Sequence, residues 1–210
     1  MKGLIYKDIT IFFKSIDKKL ILIAAGAIIL LMINTGVYAG LFASVMLAMT
    51  IGMQNIMSFV SDEKAGWKKY QLAMPVNAVS AVTSKYISVV CTLAVSLVGS
   101  IVCNLLSSAV VQNFDLTVWG VSVAASIIVP LFWTGICLPL TYWFGFRSAQ
   151  TMGLIAVIPM FYFIKYFEDG AGFSAMTGSV LSYAAVTGIA VIVLFIISMM
   201  ISMMGYNRKK

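Results

Sequence analysis

The chain has 210 residues, of which 61% are hydrophobic and only 10% charged, with a mean hydropathy of +1.02. A soluble domain of this size could not hide so much apolar surface, so the composition excludes one and predicts an all-α integral membrane protein. There is no histidine, and Cys91, Cys103 and Cys137 all lie in apolar runs as small core residues, so imidazole chemistry, a cysteine-rich metal site and a disulfide framework all lack their parts.

Residues 1–19 place Leu4, Ile5, Ile9, Phe12, Phe13 and Ile16 toward one side of a helix, with Lys7, Lys14 and Lys18 off it. This pattern predicts an amphipathic helix lying in the membrane interface ahead of the first span. Lys2, Lys7, Asp8, Lys14, Asp17, Lys18 and Lys19 are spread over this stretch, which does not resemble a cleavable signal, so the first span is expected to stay as an anchor.

From Leu20 to Val60 the chain carries no formal charge. One helix of that length would measure about 60 Å, twice the hydrocarbon thickness, so the run folds back as two spans, 20–36 and 39–60. The turn is expected near Asn34, Thr35, Gly36 and Gly40, where the helix-breaking residues cluster.

The polar interruption Ser61–Tyr86 follows, reading SDEKAGWKKYQLAMPVNAVSAVTSKY. Ser61 is placed to cap a helix whose first turn holds Asp62 and Glu63, with Lys68 and Lys69 toward the other end and Pro75 as its stop. On that helix, over 62–74, Glu63, Trp67, Tyr70 and Met74 fall within about 60° of one another, an aromatic face that needs a partner.

Spans three and four are expected at 87–111 and 119–144, separated by a turn around Gln112, Asn113 and Asp115. A tight return with Arg147 leads into span five at 152–167, broken by Pro159, and span six covers 181–204. The glycine-rich segment 168–179 is too apolar for an ordinary solvated loop; it fits either a re-entrant dip into the membrane edge or a simple outer loop.

Six spans put both ends of the chain on one side. Thirteen of the fourteen lysines and arginines then share that side, and Lys165 alone falls opposite, beside Glu168 and Asp169. The basic side is expected to be cytoplasmic, in a bacterial plasma membrane. Orientation accounts for the positive charge and leaves nucleic-acid binding with little support. Tyr38, Trp119, Tyr162, Tyr166 and Tyr183 would anchor the outer boundary, and Tyr86, Trp143 and Tyr206 the inner one.

No GxxxxGK[ST] or GxGxxG pattern occurs, the spans hold no carboxylate pair, and HExxH is absent. The chain therefore has no catalytic residues to nominate, no metal site and no energy source of its own. Span three carries Ser96, Ser100, Asn104 and Ser107 within about 80° of the helix circumference. This stripe is open to two readings: a wall of a substrate path, or the hydroxyl glue that commonly joins membrane helices. Span two presents Met46, Met49, Met53 and Met57 on one face, and span six ends with Met199, Met200, Met203 and Met204. Methionine faces re-pack around varied apolar partners, although ordinary packing explains them too. Gln54 and Asn55 are expected to serve a helix contact.

Asp62, Glu63, Gly66, Trp67, Tyr70, Pro75 and the closing Ser84, Lys85 and Tyr86, set between spans two and three, resemble the compact six-helix type-two ABC exporter permeases of low-GC Gram-positive bacteria. The resemblance implies that 62–74 is a coupling helix, with Asp62, Glu63, Lys64, Gly66, Trp67, Lys68, Tyr70 and Met74 docking on a separate cytoplasmic ABC ATPase. It further implies that two ATPases, which would bind ATP and Mg, and a second permease complete the transporter, and that the segment after span five is re-entrant. Related permeases include exporters of amphipathic, cytolytic or antimicrobial peptides. The alternative is a membrane-bound immunity or accessory protein that binds a peptide without transporting it.

Overall fold

The computed structural model describes residues 2–15, 26, 29, 38–67, 70, 77–111, 115–145 and 180–208. Five helices lie there: α1 (Lys2–Ser15), α2 (Ala39–Lys64), α3 (Ala78–Val111), α4 (Leu116–Phe144) and α5 (Val180–Arg208). Among the described residues, four stretches are long and apolar enough to cross a membrane: Ala39–Glu63, Val79–Val110, Leu116–Phe144 and Ala185–Tyr206. The expected spans at 20–36 and 152–167 and the segment 168–179 lie outside the described residues, apart from helical Gly26 and Ile29.

The polar interruption is narrower than the sequence pattern suggests. α2 runs on through Lys64, so Ser61 caps nothing: its carbonyl accepts from the Ala65 N–H at 3.0 Å, inside the last turn. The helix stops at Gly66, whose φ of 62° is a left-handed conformation that a side chain disfavours. α3 begins at Ala78, well before the expected boundary, and its 34 residues extend about 50 Å, beyond a hydrocarbon core of about 30 Å. Between the end of α2 and the start of α3, the described residues Trp67 and Tyr70 are helical. Asp62 and Glu63 stand at the negative end of a helix instead of its positive one.

α4 packs most extensively against α2 and α5, α3 lies alongside α2 and α4, and α1 rests on α3 and α2. α4 starts from Asp115, whose side chain accepts from the Thr117 N–H at 2.8 Å, and ends at Gly145 (φ 90°). Its buried face carries Ser122, Ser126, Pro130, Thr134, Leu138 and Thr141. Small hydroxyl residues let the backbones approach and hydrogen-bond where lipid offers no partner. Gly40, expected in a turn, is instead inside α2: a Cβ there would lie 2.5 Å from Asn104 Oδ1 and 3.3 Å from Asn104 Cα, so glycine permits the contact between α2 and α3.

Tyr86 departs from its expected place as a boundary anchor. It is buried, and its hydroxyl shares hydrogen bonds with Ser198 Oγ at 2.7 Å and Ser202 Oγ at 2.8 Å, fastening α3 to α5. Val82, Val89 and Leu138 surround it, with Phe59, Tyr142, Phe195 and Met199 packed outside.

Candidate functional site

An acid on a buried helix face needs a cation, and Asp8 of α1 is such an acid, only 4% exposed. Lys85 of α3 places Nζ 2.8 Å from Asp8 Oδ1 and 3.0 Å from Asp62 Oδ2 at the end of α2. Lys7 places its own Nζ 2.6 Å from Asp62 Oδ1 and 3.2 Å from Asp8 Oδ1. Each lysine touches both carboxylates, so four residues from three helices close a ring of alternating charge with no net charge.

Two further contacts fix the ring. The Lys85 ammonium donates to Asp8 Oδ1 and also to Ser58 Oγ at 2.9 Å, and it lies 4.6 Å from the centroid of Phe59. Lys7 turns its remaining side to Trp67, 4.4 Å from the ring centroid, a cation–π contact across the Gly66 turn. The two cations also offset the unfavourable position of Asp62 at the C-terminal end of α2. Nearby, Gln54 Nε2 donates to the carbonyl of Ser15, the last residue of α1, at 3.0 Å, and Asn55 Nδ2 donates to Thr92 Oγ1 on α3 at 2.8 Å. Both residues thus make the helix contacts expected of them.

The residues nominated for docking on an ATPase divide accordingly. Asp62 is turned into the charge ring, and Trp67 is half-buried against Lys7. Glu63 is exposed and belongs to α2, so it does not share a helix face with Trp67, from which the Gly66 turn separates it. Tyr70 is 64% exposed. Lys68 and Met74, like the side chain of Lys64, lie outside the described residues.

The nominated substrate path divides as well. Ser96, Ser100, Asn104 and Ser107 are all buried within the one chain. Ser96 donates to the Ser126 carbonyl at 2.8 Å, Ser100 donates to Ser44 Oγ at 3.0 Å, and Asn104 Nδ2 donates to Ser44 Oγ at 3.1 Å. Ser96, Ser100 and Asn104 therefore hydrogen-bond neighbouring helices within the chain. On α2, Met46, Met53 and Met57 are exposed and Met49 is half-buried.

Sequence reasoning misses the ring because it gives Lys7 and Lys85 places in a charge count, a helix pattern and a motif without naming their partners. One signal is present: Asp8 stands four residues before Phe12, on the face of α1 that the pattern assigns to burial, and an ionisable group there implies a partner.

No curated protein and no solved structure matches the chain. The family model described as ABC-2 family transporter protein matches residues 3–207, taking in α1, the charge ring, the connection at 65–77 and the apolar helices. A match over almost the whole length, with several membrane-crossing helices beneath it, places this chain in the ABC-2 family as a multi-pass permease component of an ABC transporter.

Proposed function

We propose that the chain is the permease subunit of an ATP-driven exporter in a bacterial plasma membrane, with both ends of the chain in the cytoplasm. A separate cytoplasmic ATPase, which binds ATP and Mg, docks on the segment that begins at Gly66. Two ATPases and a second permease, identical or similar, complete the assembly. The observation that carries this reading is the ring of Lys7, Asp8, Asp62 and Lys85, which fastens α1 to the two helix ends flanking that segment. A docking element needs a firm footing in the membrane helices, and the ring supplies one while leaving Glu63 and Tyr70 outward.

The substrate class we favour is amphipathic or hydrophobic, including cytolytic or antimicrobial peptides. Met46, Met53 and Met57 give α2 an adaptable apolar face that suits such a molecule.

Purification of the tagged permease from its native membrane tests the reading. An ABC ATPase should accompany it, and the pair in vesicles should move an apolar peptide only with ATP. A permease that captures peptide with no ATPase and no ATP requirement would instead be the immunity or accessory protein.

A further inference from the structure

Four charged groups held largely away from water do little for stability by themselves, since apolar side chains of similar volume usually serve as well. Their arrangement points to a use. Lys85 makes its contacts inside the body of the protein, hydrogen-bonding Asp8 and Ser58 and pairing with Asp62. Lys7 spends two sides on the same acids and the third on Trp67, the first residue beyond the Gly66 turn. Lys7 is also the most exposed member of the ring, with its side chain at 21% against 4% for Asp8 and 10% for Lys85. The ring is thus closed toward the helices and open toward Trp67.

We propose that Lys7 is a positioning residue for the docking segment: its ammonium joins Trp67 to the ring, so that a displacement of Trp67 reaches α1, α2 and α3 together. This inference rests on the exporter reading. When the segment moves, Lys7 follows the indole or loses it. In either case the shares of positive charge held by Asp8 and Asp62 change at once, because both acids contact both lysines. The cation–π contact tolerates sliding of the ammonium over the ring face, which suits a joint that moves without breaking. α1 is then an active part of the coupling path and more than an anchor at the membrane surface.

The test uses the full permease with its co-purified ATPase in lipid nanodiscs. Cys91, Cys103 and Cys137 are replaced by alanine, and a polarity-sensitive fluorophore is attached through Tyr6→Cys, at a position 75% exposed on α1. Trapping the ATPase with ATP and vanadate should shift the fluorescence. Lys7→Gln should abolish the shift while the ATPase still co-purifies, and Lys7→Arg, which keeps a cation over the indole, should restore it. Should Lys7→Gln fold poorly, Lys7→Gln combined with Asp62→Asn keeps the remaining Asp8–Lys85 pair neutral and is expected to lose the shift as well. An unchanged shift in either glutamine variant overturns the positioning role and leaves the exporter reading intact. Absence of any ATPase from the unsubstituted complex overturns both.

Discussion

Ser96 of α3 donates its hydroxyl to the backbone carbonyl of Ser126 on α4, and that carbonyl is the one Pro130 leaves without a helical donor. Proline has no N–H, so the residue four positions earlier loses its hydrogen bond, and lipid offers no replacement. Ser96→Ala should therefore cost about 1–2 kcal/mol in detergent unfolding, with most of that loss absent in a Pro130→Ala background, where the backbone regains the missing N–H. A double-mutant cycle measures the difference, and equal costs in both backgrounds would show that Ser96 acts only by packing.

Lys85→Met leaves Asp8 buried with Lys7 as its remaining cation, 3.2 Å away. Removing one partner from a buried ion pair costs about 3–5 kcal/mol, whereas removing both is often nearly neutral. Lys85→Met should thus lower the melting temperature strongly, and Asp8→Leu added to it should recover much of the loss. Scanning fluorimetry of the purified variants decides this, and a double variant less stable than the single one would contradict the pairing.

Gly40→Ala improves helix propensity by about 1 kcal/mol in an exposed helix, yet here it is expected to destabilise. The new Cβ would meet Asn104 at both its carbonyl oxygen and its Cα, and the backbone atom cannot yield without moving α3. Overpacking of this kind costs about 1–3 kcal/mol. Stability unchanged or raised in Gly40→Ala would mean that α2 and α3 are not held at this spacing.

Tyr86→Phe removes the hydroxyl that Ser198 and Ser202 share and should cost about 1 kcal/mol, in line with modest hydrogen-bond energies between membrane helices. Changing Ser198 and Ser202 to alanine in the Tyr86→Phe background should then add little. Additive losses would show that the serines have other work.

Tyr70→Ala is expected to reduce ATPase recovery on a tagged permease without lowering the permease's own melting temperature, because Tyr70 is exposed. Asp62→Asn should do the reverse, weakening the fold through its contacts with Lys7 and Lys85. Pull-down yield and melting temperature, measured side by side on both variants, separate docking from footing.

Hydropathy made the membrane class and the α2, α3 and α4 spans legible, because uninterrupted apolar length is a one-dimensional property. The element ends were less so. Ser61, Asp62 and Glu63 carry the residue types of a helix start, but the apolar packing of α2 extends its helix past them, and tertiary contacts outweighed local capping preference. The charge ring was hidden for a different reason. Asp8, Asp62 and Lys85 are distant in sequence, and charge counting assigns a lysine to a side of the membrane without naming its partner. Likewise, the serine stripe on α3 could be seen from spacing, while its bond to the Pro130-freed carbonyl required knowing which helix lies opposite.

The ring also has an order in time. Lys7, Asp8 and Asp62 leave the ribosome before Lys85, and until it is made those three leave one negative charge unbalanced. Lys85 then arrives on the first turns of α3 and closes the balance at its own end of that helix. α1 and the end of α2 can thus pair through Lys7 and Asp62 first, and α3 joins them only once Lys85 has been made.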